Sequence, residues 1–225
     1  MTLLERLPQE SDRNYALRTL KENIIDLGLP PGSQISESEI CAQIGLSRTP
    51  VREALIELSR VKIIKIIPQK KSTVALIDYV LVEEACFMRN VLECAVVELD
   101  CELALPEGLQ RLEENVKLQH FYFENNNFQM LMELDNQFHA ILFSIAQKSQ
   151  VFEMTQNMLI HFDRVRRMAL DSVKDLKIVE DHEQILEAIR DRDAERAKQL
   201  MQIHLSRYKY DAKEILKEYP EYFVK

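Results

Sequence analysis

The sequence predicts a mainly α-helical protein in two parts. Only 4 Gly and 7 Pro punctuate 225 residues, 46% of residues are apolar, and apolar positions recur at three- and four-residue spacing along most of the chain. So little punctuation leaves few turns for a many-stranded β fold, and this apolar share builds packed cores rather than a disordered chain. No apolar run approaches the ~18 residues of a membrane span, and the N-terminus mixes acids with bases and lacks a signal-peptide core. A cytoplasmic protein with no membrane partner is expected. Cys41, Cys86, Cys94 and Cys101 form no CxxC pair and read as buried, reduced thiols rather than a disulfide or a zinc knuckle.

Leu17, Leu20, Ile24 and Leu27 mark one face of a first helix that stops at Gly28-Leu29-Pro30-Pro31-Gly32. Ser36 precedes Glu39 by three residues, the spacing of a capping box, and opens a short second helix with Ile40 and Ile44 on one face before Gly45. A third helix follows, capped either by Ser47 or by Thr49 with Pro50 at its first position, and buries Val51, Ala54, Leu55 and Leu58. Two helices around a tight Gly-containing turn make a helix-turn-helix. Ile63 to Ile67 and Thr73 to Leu76 are β-prone runs flanking a polar, basic tip, so a β-hairpin wing is expected next. The boundary is expected at 77/78, with a winged helix-turn-helix over 1–77 and an all-helical domain over 78–225. Interruptions near Pro106, Asn125 to Asn127, Lys148-Ser149, Ser172 and Asp191 to Asp193 divide the second part into about six helices.

Net charge is −8, which argues against nucleic-acid binding until the charge is divided along the chain. Residues 1–76 carry 11 basic against 9 acidic side chains, whereas 77–225 carry 18 against 28. Seven bases and two acids fall within 47–71, a cluster suited either to neutralising phosphates or to an ordinary solvated face. Arg48 and Arg52, four apart at the start of the third helix, share the face that meets base edges in a helix-turn-helix complex and suit bidentate contact with guanine. The hydroxyls of Ser47 and Thr49 suit phosphate oxygens, and Lys70 and Lys71 would reach the adjacent backbone or minor groove.

The string from Gly28 through Ser36-Glu37-Ser38-Glu39-Ile40-Cys41-Ala42 to Ile44-Gly45-Leu46-Ser47-Arg48-Thr49-Pro50-Val51-Arg52-Glu53-Ala54-Leu55 closely resembles the DNA-binding domain of bacterial GntR-family regulators, over about residues 12–76. The resemblance implies that Arg48 and Arg52 read bases. Two departures stand out: Ser38 occupies the place of a frequent family arginine, and Lys70 or Lys71 that of the usual wing-tip glycine. Lysine offers charge where glycine offers close backbone approach, so this wing is expected to bind phosphates more than bases.

Asp135 and His139 are i and i+4 on a predicted helix, so both can converge on one ion. His182 shares a face with Ile178, Ile185 and Ile189, and His204 with Leu200 and Met201, so both should point inward. Spacing alone leaves these as hydrogen-bonded core residues or as ligands. Residues from about 80 to 210 resemble the FCD ligand-binding domain of the FadR branch of the GntR family, an antiparallel helical bundle. The resemblance implies that Asp135, His139, His182 and His204 bind a metal. Three imidazoles and a carboxylate suit Zn²⁺, with Ni²⁺ the alternative, and leave positions for a small carboxylate effector. Arg89 would pair with that carboxylate or with Glu93 at i+4. His120 and His161 have no such role, and Arg164, Arg166 and Arg167 read more readily as a basic helix face than as a pocket border.

The function expected is that of a transcriptional repressor, a homodimer on an inverted-repeat operator in double-stranded DNA, controlled by an organic acid. A metal-sensing regulator is the alternative. A metal-dependent hydrolase is a poorer one, because no HExxH arrangement supplies a general base and the first 76 residues would have no purpose. No catalysis is expected.

Overall fold

The computed structural model describes residues 1–67, 71–172, 177–207 and 215–225. Contacts divide the chain into two compact units, one joining 1–83 with 157–168 and 215–225, the other joining 84–156 with 169–214.

The first unit opens with α1 (Asp12–Ile25), capped by the Ser11 hydroxyl, which accepts from the Asn14 amide. Leu20 and Ile24 are buried as the periodicity requires, while Leu17 and Leu27 are only half-buried. Asn23 shares the buried face. Its amide donates to the Thr19 and Thr2 carbonyls at 2.8 Å, so burying it leaves no donor unmet. Helix α2 (Glu37–Ile44) starts at Ser36, whose hydroxyl accepts from Glu39 N, and ends at Gly45 with φ 74°, a left-handed C-cap that glycine adopts without strain. Helix α3 (Arg48–Arg60) has Ser47 in the cap position, but the Ser47 hydroxyl makes no capping bond. Val51, Ala54, Leu55 and Leu58 are buried as expected.

The wing strands β2 (Ile64–Lys65) and β3 (Ser72–Val74) pair antiparallel, Ile64 opposite Val74. A third strand, β1 (Gln34–Ile35), pairs antiparallel with β3 and gives the order β1-β3-β2. Sequence reading missed β1 because two residues are too few to show alternation. Residues 157–168 of α7 (Ser149–Ser172) and the C-terminal stretch complete this unit. Ile77 N donates to the Tyr222 carbonyl at 2.8 Å, and Val224 N to the Ile77 carbonyl at 2.9 Å.

The second unit contains most of α4 (Tyr79–Leu103), then α5 (Pro106–Glu124), α6 (Phe128–Ile145), both ends of α7, α8 (Lys177–Arg190) and α9 (Ala194–Ser206). The breaks near Pro106, Asn125 to Asn127, Lys148-Ser149 and Asp191 to Asp193 fall where the sequence placed them, and the one following Ser172 lies outside the described residues. Its core joins Val97, Leu112, Phe138, Leu142, Ile185, Ile189 and Met201 among others, with α5 packed on α6 and α8, and α8 on α9. Arg192 closes the end of α4 by donating to the Cys101, Glu102 and Ala104 carbonyls at 2.7–2.8 Å. None of the four cysteines is in a disulfide; Cys86, Cys94 and Cys101 are buried and Cys41 is half-buried. Burial pushes the thiols of Cys94 and Cys101 up to about 11, which keeps them unreactive. No helix among the described residues is long and apolar enough to cross a membrane.

Candidate functional site

In the first unit the sequence places its polar residues on one exposed edge. Ser47, Arg48, Thr49 and Arg52 are all exposed, while Pro50 and Val51 between them, and Ala54 just beyond, are buried. The apolar stripe of α3 thus fixes which way its arginines point: burying Val51, Ala54, Leu55 and Leu58 leaves Arg48 and Arg52, four apart, on the solvent side. Because the Ser47 hydroxyl is not used as a cap, it and the first amides of α3 remain available to an anion. Lys71 is exposed beside β3 and lies 3.5 Å from Glu39 at the start of α2. Lys70 falls outside the described residues.

In the second unit the four candidate ligands come together from three helices. Asp135 and His139 lie one turn apart on α6, His182 is on α8 and His204 on α9. One ligand atom from each lies within 4.8 Å of all the others, and all four residues are buried. His182 Nε2 is 3.4 Å from His204 Nε2, which is 3.3 Å from His139 Nε2. Asp135 closes the set, its Oδ1 3.6 Å from His182 Nε2 and its Oδ2 3.9 Å from His139 Nε2. Phe138 stacks on the His182 ring at 4.1 Å between centroids and fixes its plane.

Each imidazole turns its other nitrogen outward. His139 Nδ1 faces Glu93 Oε2 at 2.6 Å and His204 Nδ1 faces Asp181 Oδ2 at 3.5 Å, neither in an aligned hydrogen bond. His182 Nδ1 is hydrogen-bonded to Gln119 Oε1 at 2.7 Å. Both carboxylates are held by arginines: Arg89 Nε donates to Glu93 Oε1 at 2.6 Å, and Arg207 forms a two-pronged pair with Asp181. Burial pushes Glu93 up, but Arg89 and His139 override it and hold the carboxyl at about 2. Asp181 likewise stays low against burial through Arg207 and His204. Burial drives His139 down, opposed by Glu93, and drives His182 down further with the help of nearby His204. With each proton on the outward nitrogen, the three rings would present their Nε2 lone pairs, and Asp135 its carboxylate, to a common point. That donor set fits a divalent ion of the Zn²⁺ type.

Arg89 is therefore buried and paired with Glu93. Of the other basic residues, Arg164 is fully buried in the first unit rather than on a solvated face. His161 is also a core residue, and half-exposed His120 lies 3.6 Å from Glu183. Sequence reading missed Gln119 and Asn115 and the roles of Asp181 and Arg207. Only Asp181, next to His182, carried any signal in the chain itself.

Comparison with known proteins finds two family models that match successive stretches of the chain. The model described as "Bacterial regulatory proteins, gntR family" matches residues 14–74, and "FCD domain" matches residues 84–207. The chain is 30% identical to the HTH-type transcriptional repressor RspR of Escherichia coli, over 96% of this chain and 95% of that protein. It is 31% identical to an HTH-type transcriptional regulator of Streptomyces ambofaciens, over 91% and 86%. Among solved structures, E. coli McbR/YncC superposes with a TM-score of 0.79 at 20% identity, covering 94% of this chain and all of that one. A GntR regulator from Rhodococcus gives 0.71 at 23% identity, covering 93% of this chain and all of its own. These relatives are transcription regulators, not enzymes, and the chain belongs to the GntR family of bacterial transcriptional regulators, with an N-terminal DNA-binding domain and a C-terminal FCD ligand-binding domain.

Proposed function

We propose that this regulator is a cytoplasmic, homodimeric repressor whose operator affinity is set by a small organic acid bound at a metal ion in the C-terminal domain. The proposed domains are 1–77 for DNA and 78–225 for effector and dimerisation. Asp135, His139, His182 and His204 hold the ion, Zn²⁺ by the donor set and Ni²⁺ as the alternative. The observation that carries the reading is the convergence of three imidazole Nε2 atoms and one carboxylate within 4.8 Å in a buried site. Lone pairs so close repel unless a proton or a metal cation lies among them. The ion, when bound, supplies Lewis acidity toward an anionic oxygen. The four donors bring one formal negative charge, half of what a divalent ion carries, so the site favours an anionic guest such as a carboxylate.

Ser47 and Thr49 hold phosphates, Arg48 and Arg52 read bases, and Lys71, with Lys70, adds backbone charge. A homodimer presents two such helices to an inverted repeat. That RspR is a repressor supports the sign of regulation. The acid alters DNA affinity only by binding two states of the protein unequally, and release from the operator is the expected outcome.

Metal analysis of purified protein, followed by operator binding with a panel of small carboxylates, tests this. One equivalent of metal per chain that survives dialysis, absent from His182→Ala, with operator release needing an added acid, supports the reading. Metal-free wild-type protein that refuses Zn²⁺ and Ni²⁺ sinks it. Burial of all four ligands also suits a regulator that senses the ion itself, and operator binding that tracks metal concentration without any acid would favour that alternative.

A further inference from the structure

Helix α5 contributes no ligand to the Asp135/His3 cluster, yet it buries two amide side chains, Asn115 and Gln119, one turn apart. Gln119 is fully buried, and an amide is placed in such surroundings at a cost unless every polar atom is used. Here the bonds run in one direction. Asn115 Nδ2 donates to the Leu134 carbonyl at 3.1 Å. Gln119 Nε2 donates to Asn115 Oδ1 at 2.6 Å. Gln119 Oε1 lies 2.7 Å from His182 Nδ1.

The direction is fixed from one end. A backbone carbonyl only accepts, so Asn115 must turn its nitrogen toward Leu134 and its oxygen toward Gln119. That oxygen only accepts, so Gln119 must present its nitrogen to it and its own oxygen to His182. An amide oxygen cannot donate, so the hydrogen between Gln119 and His182 belongs to His182 Nδ1. Flipping either amide would set oxygen against oxygen or nitrogen against a donor.

We propose that the Asn115–Gln119 relay is a positioning device: it holds His182 as the Nδ1–H tautomer, with the Nε2 lone pair aimed at the other candidate ligands. Its value for metal binding rests on the metal reading given above. The relay starts at Leu134, the residue before Asp135, so α5 ties the turn carrying the carboxylate ligand to the ring of a histidine on α8. His139 and His204 face carboxylates instead, which leaves His182 as a ligand oriented by a neutral chain. An outer partner of this kind governs ring orientation and metal affinity without touching the ion.

Two measurements test this. In the metal-free protein at neutral pH, ¹⁵N-resolved NMR of the imidazoles should show His182 protonated at Nδ1. Gln119→Met, close in size and lacking the acceptor, and Asn115→Leu, which leaves Gln119 free to turn, should move the proton toward Nε2. Competition with a chelator for Zn²⁺ should then give affinities about 10–100-fold weaker for both variants, with thermal unfolding confirming that they are folded. A wild-type His182 protonated at Nε2 overturns the proposal with no variant needed. So does a Gln119→Met protein that keeps both the tautomer and the wild-type Zn²⁺ affinity. The tautomer is read without metal, so wild-type protein that shows the Nδ1–H form but takes no Zn²⁺ upholds the relay and refutes the metal reading alone.

Discussion

His161 Nε2 lies 2.7 Å from the carbonyl of Val61, one hundred residues earlier in the chain. The carbonyl accepts, so Nε2 carries the hydrogen and Nδ1 is left as an acceptor, 3.3 Å from Arg164 Nη2. Arg164 in turn donates through Nη1 to the Ala75 carbonyl at 2.8 Å. Val61 is the C-cap of α3 and Ala75 follows β3, so one turn of α7 braces both α3 and the wing.

Arg164→Ala should therefore destabilise the protein by about 2–4 kcal/mol, because it opens a void and strips a donor from Ala75 and His161. Arg164→Met should lose less, since it fills the volume and removes a buried charge whose pKa burial has already brought down to about 10. Urea unfolding monitored by circular dichroism checks the order; equal midpoints for wild type and Arg164→Ala would show that the brace contributes nothing.

Acid should act through the same contact. Burial lowers His161 to about 4, below the ordinary value of 6.5, so between these limits the unfolded chain binds the proton and the folded one does not. Stability from this group is complete above about pH 6.5 and falls as pH drops toward 4. His161→Gln should lose that slope in melts across pH 4–7, and an unchanged slope would assign it elsewhere.

Asp100 should pull the other way. Both of its carboxylate oxygens are buried without a hydrogen-bond partner, and burial raises its pKa to about 8. Here the folded state keeps the proton that the unfolded chain gives up near 3.8, so stability falls as pH rises from about 4 to 8, by at most about 1.4 kcal/mol per unit. The two groups offset one another in the acid half of that range, and Asp100→Asn should steepen the net rise of stability with pH there and flatten the fall between pH 6.5 and 8.

On DNA, Arg52→Ala should cost about 1–3 kcal/mol on the operator and relax preference at one base pair, with Arg48→Ala behaving alike at a neighbouring position. Equal weakening on random duplex would instead make them phosphate contacts.

Lys71→Ala should weaken binding uniformly across sequences and lower the slope of log affinity against log salt by about 1. Its exposed contact with Glu39 is worth little, so folding stability should not change. A changed sequence preference with an unchanged salt slope would move Lys71 into base reading.

Helix breaks, the turn at Gly45 and the apolar stripe of α3 were legible in the chain because each is a local event, set by capping, glycine and period. The four candidate ligands were legible for a different reason: Asp135 and His139 share one turn, and a family resemblance supplied the two distant histidines. What surrounds them was not. Gln119 and Asn115 read as polar residues on an otherwise amphipathic helix, and nothing in their spacing says that they face inward toward α6 and α8. Strand β1 and the brace at Arg164 depend on pairings between remote segments, which periodicity does not encode.

Residues 157–168 and 215–225 belong to the same compact unit as the helix-turn-helix, and this limits how the molecule can be dissected. An N-terminal piece cut after residue 77 would leave Ile77 bare of its neighbour Phe223 and expose the carbonyls of Val61 and Ala75. Chimeras that graft this N-terminal piece onto a foreign sensor must carry both downstream pieces with it or inherit an unsupported α3.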